Sequence, residues 1–155
     1  MRIVRLVKGF ARSRYGWLSK ISSGFAISKL VCDNFARDDG RDDRAFRQTM
    51  KNISFILSLS DVIRHPVLDE NIAESGDAKT AFLKEKIDEN LKHLDVLDKL
   101  DCTHDEAMKA WDNLFYTDWF TKQPDPSKKS RVEKASGPAV IKQGETRYAK
   151  ENRHA

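Results

Sequence analysis

Arg2-Ile3-Val4-Arg5-Leu6-Val7-Lys8-Gly9-Phe10-Ala11-Arg12-Ser13-Arg14 places Ile3, Leu6, Val7 and Phe10 at three- and four-residue spacing, with Arg2, Arg5, Lys8, Arg12 and Arg14 on the remaining surface. That period predicts an amphipathic helix over about residues 2–14 with a cationic flank. The same period recurs downstream. Ser22 and Ser23 are capping residue types ahead of a second helix over about 24–36, with Phe25, Ala26, Leu30, Val31 and Cys32 facing inward. Free amides and the helix dipole make its first turn a candidate anion site.

Asp38-Asp39-Gly40-Arg41-Asp42 reads as a polar turn into a third helix over about 42–60, with Phe46, Met50, Ile53, Ile56 and Leu57 as its buried stripe. Pro66 stops helical continuation and pushes His65 toward extended geometry, so residues 64–70 are expected to form an ordered loop. Asp77 opens a long helix over about 77–99, with Ala81, Phe82, Ile87, Leu91, Leu94 and Leu97 near one face. Thr103 and Glu106 have the spacing of a capping box for a last helix reaching about Phe115. The expected fold is mainly α, a bundle of about five helices over residues 1–121, with no strand pair and no internal repeat. Residues 122–155, rich in Pro, Ser, Gly and Lys, are expected to be a disordered basic tail.

Charge is unevenly placed along the 155 residues, whose formal net charge is +4. Residues 1–31 carry seven Lys/Arg and no acid, 32–121 carry twelve against twenty, and 122–155 carry nine against four. A basic helix on an acidic body steers anions to one face; the plainer reading is a solvated helix surface. Cys32 and Cys102 stand in no metal or redox spacing and are expected to be buried, reduced thiols of a cytoplasmic protein. No apolar run reaches the roughly 18 residues of a membrane span, and the N-terminus lacks the apolar core of a signal peptide.

Complete catalytic motifs are missing. There is no glycine-rich phosphate loop, no paired-histidine zinc spacing and no nucleophile elbow. Asp38/Asp39 and Asp42/Asp43 are better suited to capping and solvating a turn than to holding Mg2+. His65, His93, His104 and His154 are scattered, with no nucleophile or base beside them.

The order Arg5-Leu6-Val7-Lys8, then Leu18-Ser19-Lys20-Ile21-Ser22-Ser23-Gly24-Phe25, a Pro-containing loop, a Glu/Lys/Leu helix and Ala107-x-x-Ala110-Trp111-x-x-Leu114-Phe115-x-Thr117-Asp118-x-Phe120 is similar to the C-terminal helical half of bacterial cyclic-GMP-AMP-synthase-like nucleotidyltransferases. Oligoadenylate synthetases are more distant relatives of that family. The resemblance spans about residues 2–122. It departs at Gly9, where the family commonly has a large aromatic; here the aromatic is Phe10.

The resemblance implies a two-lobed enzyme of anti-phage defence that converts nucleoside triphosphates (ATP, GTP) to cyclic or linear oligonucleotide second messengers. One lobe carries carboxylates for two Mg2+ ions and the helical lobe closes the nucleotide pocket. Lys8 would then contact the donor triphosphate, Ser22 or Ser23 would hydrogen-bond the same phosphates, and the 65–70 loop would pack near the pocket. Trp111, Leu114, Phe115 and Phe120 would be structural. No catalytic or metal-binding residue is assigned to this chain, which is expected to bind no cofactor alone and to be inactive without a catalytic lobe, a separately encoded one being the implied partner. A helix starting at Met1 leads to the expectation of a truncated frame, a split gene or an isolated domain, with Ile3, Val7 and Phe10 exposed as an apolar patch. The alternative is a stand-alone helical protein or adaptor that binds nucleic acid through Lys8, Arg12, Arg14 and the basic tail, with steep salt dependence.

Overall fold

The computed structural model describes residues 2–125. The chain divides into two units at Gln123/Pro124; the following concerns the first. The basic tail beyond residue 125, including its expected disorder and nucleic-acid role, lies outside the described residues.

Among the described residues are five α-helices and one two-stranded sheet: α1 (Arg2–Ala11), α2 (Gly24–Asn34), α3 (Asp42–Leu59), β1 (Ile63–Arg64), β2 (Asn71–Ala73), α4 (Ala78–Leu91) and α5 (His104–Phe115). The protein is thus mainly α-helical, as its apolar periodicity predicts. None of the described helices is long and apolar enough to cross a membrane.

α1 buries Ile3, Val7, Phe10 and Ala11. They belong to the central core, with Phe10 fully enclosed, so the expected exposed patch of Ile3, Val7 and Phe10 does not exist. α2 and α3 supply the covering surface through Ile27, Leu30, Val31, Phe46, Met50 and Ile53. The helix ends at Ala11, three residues short of the predicted end, because the Arg12 and Ser13 amides bond back to the Lys8, Gly9 and Phe10 carbonyls in tight turns. A single 3-10 turn, Tyr15–Trp17, follows. Its Trp17 ring packs edge-on against Phe10 and Phe82, joining α1 to α4.

Capping follows the sequence closely. Ser23 Oγ accepts from the Ala26 amide at 3.1 Å at the start of α2. Asp77 caps α4 through the Thr80 amide at 2.8 Å. At α5 both halves of the capping box are present, with Thr103 Oγ1 accepting from Glu106 N and Glu106 Oε2 accepting from Thr103 N. Such caps satisfy amides that the helix itself leaves unpaired.

The strand pair was not expected. Ile63 pairs with Ala73 and Arg64 with Asn71, antiparallel and with an irregular register between them. Two and three residues are too short to carry a readable alternation, and Pro66 sits in the connecting loop, which His65 organises by accepting from the Val67 and Leu68 amides at Nδ1. The predicted helix 77–99 also divides: α4 stops at Leu91 and residues Lys92–Asp98 wind as 3-10. With three residues per turn, Leu91, Leu94 and Leu97 fall in one row, and that row packs on the core with Leu94 fully buried.

Some inward assignments fail at the edges of the buried stripes, where one helical step of about 100° separates a core residue from an exposed neighbour. Phe25 is 49% exposed and Ile56 40% exposed, Ala81 is exposed, and Leu83, not expected to face inward, is buried instead. The thiols are free but not buried: Cys32 is exposed and Cys102 half-buried. Cys32 follows the core residue Val31, so one step of about 100° along α2 turns its side chain outward.

Candidate functional site

The last turn of α1 crosses the first turn of α2, and the sequence makes that crossing cationic. Lys8 and Arg12 are four residues apart and so share one side of the chain as it leaves α1. Gly24, the first residue of α2, has no side chain to hold them away. A methyl group placed on Gly24 would lie 3.7 Å from Lys8 Cε, 3.9 Å from Lys8 Nζ and 3.8 Å from Arg12 Nη2. Both cationic heads therefore stand at the positive end of the α2 dipole.

The adjoining cleft has a volume of about 190 Å³. Ala11, Leu18, Ile21 and Ile27 form apolar walls, and Lys79, from the first turn of α4, adds a third cation. No carboxylate lines it. Among the described residues, Lys8, Arg12 and Lys79 form no ion pair, whereas Arg2 pairs with Asp42 and Lys29 with Asp33. Three unpaired cations beside a helix N-terminus repel one another unless an anion enters.

Ser22 and Ser23 have different roles. Ser23 Oγ is engaged as the α2 cap. Ser22 is 6% exposed, lines the cleft, and its Oγ is buried without a hydrogen-bond partner among the described residues. A buried hydroxyl left unpaired costs about 1–3 kcal/mol, so the cleft holds a donor awaiting an acceptor. The α2 amides of Gly24 and Phe25 are the first two of the helix and have no intrahelical acceptor. Ammonium, guanidinium and hydroxyl donors thus line, with Gly24 at the α2 N-terminus, a space the size of one or a few phosphate groups.

The 65–70 loop reaches the same helix turn through His65, whose ring lies 5.2 Å from that of Phe25. Trp111, Phe115 and Phe120 pack together with Phe46 and stand apart from the cleft, while Leu114 is fully buried. Arg14 points elsewhere. Its guanidinium donates to Asn90 Oδ1, to the Asn113 and Leu114 carbonyls and to Ser13 Oγ, and lies over the Trp17 ring. The arginine counted with the free cationic flank is a structural tie between α1, α4 and α5.

Mg2+ is implied by the family resemblance, and the donor chemistry here does not fit it. Mg2+ requires carboxylate or phosphate oxygens, the cleft is lined by cations, and no group of three or more His, Cys, Asp or Glu able to hold a metal occurs among the described residues. Lys79 was not legible as a site residue, because nothing in the sequence places the start of α4 beside the start of α2.

These elements define a mainly helical protein with a cationic cleft at a helix N-terminus. Compared with protein-family models, curated proteins and solved structures, the chain matches none.

Proposed function

We propose that the cleft receives the polyphosphate of a nucleoside triphosphate, ATP or GTP, and that the chain acts as the helical substrate-binding half of a nucleotidyltransferase making oligonucleotide messengers in anti-phage defence. The observation that carries the first part is the approach of Lys8 and Arg12 to the Gly24 turn, with Lys79 and the Ser22 hydroxyl, which has no partner among the described residues, lining the same cleft. The second part rests on the order of motifs resembling that family and has no support from the comparisons.

At about 190 Å³ the cleft is smaller than the roughly 300–1,000 Å³ that encloses a drug-sized ligand. It accommodates phosphate groups and leaves the nucleoside outside, against another surface. This chain's contribution is then to bind and orient: the cations offset phosphate charge, and Ser22 with the α2 amides fixes the phosphate position. Carboxylates for Mg2+ would come from a separate catalytic lobe, and no chemical step is assigned to this chain.

Calorimetric titration of the purified chain with ATP, GTP and AMP tests the reading. Triphosphates binding at least about tenfold more tightly than AMP, with little base preference, is the expected result, since each added phosphate brings charge-assisted hydrogen bonds. Equal affinity for AMP and ATP, or no binding alongside salt-sensitive binding to arbitrary RNA or DNA, would contradict it and favour the nucleic-acid reading.

A further inference from the structure

A second charged groove lies on a different face, between the N-terminal half of α3 and the 3-10 segment with α5. Its volume is about 930 Å³ and it shares no lining residue with the Gly24 cleft. Arg44, Arg47, Gln48 and Lys51 stand at i, i+3, i+4 and i+7 on one face of α3, a run of about 10 Å along the helix. Lys99 contributes from the opposite wall, and Leu97, Met108 and Trp111 supply apolar surface.

Charge along this groove is only partly neutralised. Arg41 is held by Asp43, and both Arg47 terminal nitrogens are held by Asp98. Arg44, Lys51 and Lys99 form no ion pair among the described residues. Six Lys/Arg and three Asp line the groove, and Asp39 and Asp95 beside it pair with Arg37 and Arg47, so six cations stand against five carboxylates, a local balance of +1 carried by Arg44, Lys51 and Lys99. The buried Arg47 Nε has no acceptor among the described residues, so the guanidinium has donor capacity left over.

We propose that this groove is a docking site for an acidic peptide segment of a partner protein, one in which a bulky apolar residue is flanked by Asp or Glu. Arginine and lysine along the α3 face take the carboxylates, and the Leu97–Met108–Trp111 surface takes the apolar anchor. A nucleic-acid strand fits less well. Its bases need open aromatic faces, and the single aromatic here, Trp111, already packs on Phe46, Phe115 and Phe120.

Fluorescence anisotropy of a fluorescein-labelled octapeptide, Glu-Asp-Glu-Leu-Trp-Glu-Asp-Glu, added to the full chain is the test. Saturable binding is expected, weakened roughly tenfold or more by the double variant Arg44→Glu/Lys51→Glu. It should be weakened comparably when Ser replaces Leu and Trp in the peptide, and left unchanged by Lys8→Ala in the other cleft. Both substituted side chains are exposed, and circular dichroism verifies that the variant is folded. Absence of binding, or binding indifferent to the double variant, overturns the proposal. So does a labelled single-stranded DNA octamer that binds more tightly than the peptide and loses affinity in the same variant.

Discussion

Arg14 Nη2 donates to the side-chain oxygen of Asn90 at 2.8 Å, tying the turn after α1 to the last turn of α4. Asn90 is buried and donates in turn to the Lys86 carbonyl. The same guanidinium satisfies the Asn113 and Leu114 carbonyls at the end of α5, groups that a helix cannot pair by itself. Burial pushes the Arg14 pKa down, against the pull of Tyr116 and Glu89.

Removing that tie is a stability lesion and not a binding lesion. Arg14→Ala is expected to cost about 2 kcal/mol, since it strands buried acceptors, and to lower the thermal midpoint by roughly 5–10 °C. Triphosphate affinity of the folded fraction should stay as in the wild type. Differential scanning calorimetry paired with titration separates the two; a large affinity loss at unchanged stability would place Arg14 in the binding site.

Ser22 and Ser23 should respond in opposite directions. Ser23→Ala removes a helix cap and is expected to cost about 1 kcal/mol of stability. Ser22→Ala removes an unpartnered buried hydroxyl, so the ligand-free protein should be as stable as wild type or slightly more so, while triphosphate binding weakens. Urea denaturation of both variants, with and without ATP, provides the comparison. If Ser22→Ala destabilised the ligand-free protein by more than Ser23→Ala, its hydroxyl would have a structural role.

Gly24 is open to a methyl group at ordinary contact distances from Lys8 and Arg12. Gly24→Ala should therefore fold normally, changing stability by less than about 1 kcal/mol. Gly24→Val puts bulk where the anion would sit and should weaken triphosphate binding roughly tenfold or more, through displaced donors. Retained affinity in a folded Gly24→Val protein would move the ligand away from this turn.

Asp112 sets an acid limit. Burial raises its carboxyl pKa, but the Thr121 side chain and the Phe120 and Thr121 amides outweigh that and hold it below the ordinary carboxylate value. Its stabilisation is fully present above the unfolded value near about 4 and is lost as pH falls through the lower folded value. Asp112→Asn should be less stable than wild type at neutral pH, with the gap narrowing below about pH 4. Urea midpoints followed from pH 7 to pH 2.5 would show this; a constant gap would exclude the carboxylate as its source.

What the sequence revealed and what it hid divide along physical lines. Helix identity was legible because local devices decide it: the Ser23, Asp77 and Thr103–Glu106 caps each act within three residues. Lys8, Ser22 and Ser23, named through the family resemblance, line one cleft, and the capping role of Ser23 was legible because capping chemistry is local. The tie made by Arg14, the approach of Arg12 to Gly24 and the presence of Lys79 in the cleft were not legible. Their roles depend on how α1, α2, α4 and α5 pack, and an arginine that ties three helices has the same sequence signature as one facing water. The 3-10 segment was hidden because Leu91, Leu94 and Leu97 at three-residue spacing fit either winding, and packing selects the tighter one.

Phosphate binding at the Lys8–Gly24 crossing is tested by an amide NMR titration with inorganic tripolyphosphate in wild type and Lys8→Ala. Binding is predicted to shift the Ser22, Gly24 and Phe25 amides together, saturably, with affinity about tenfold or more lower in Lys8→Ala. Shifts scattered over the basic surface, or affinity unchanged in Lys8→Ala, would place the phosphate elsewhere.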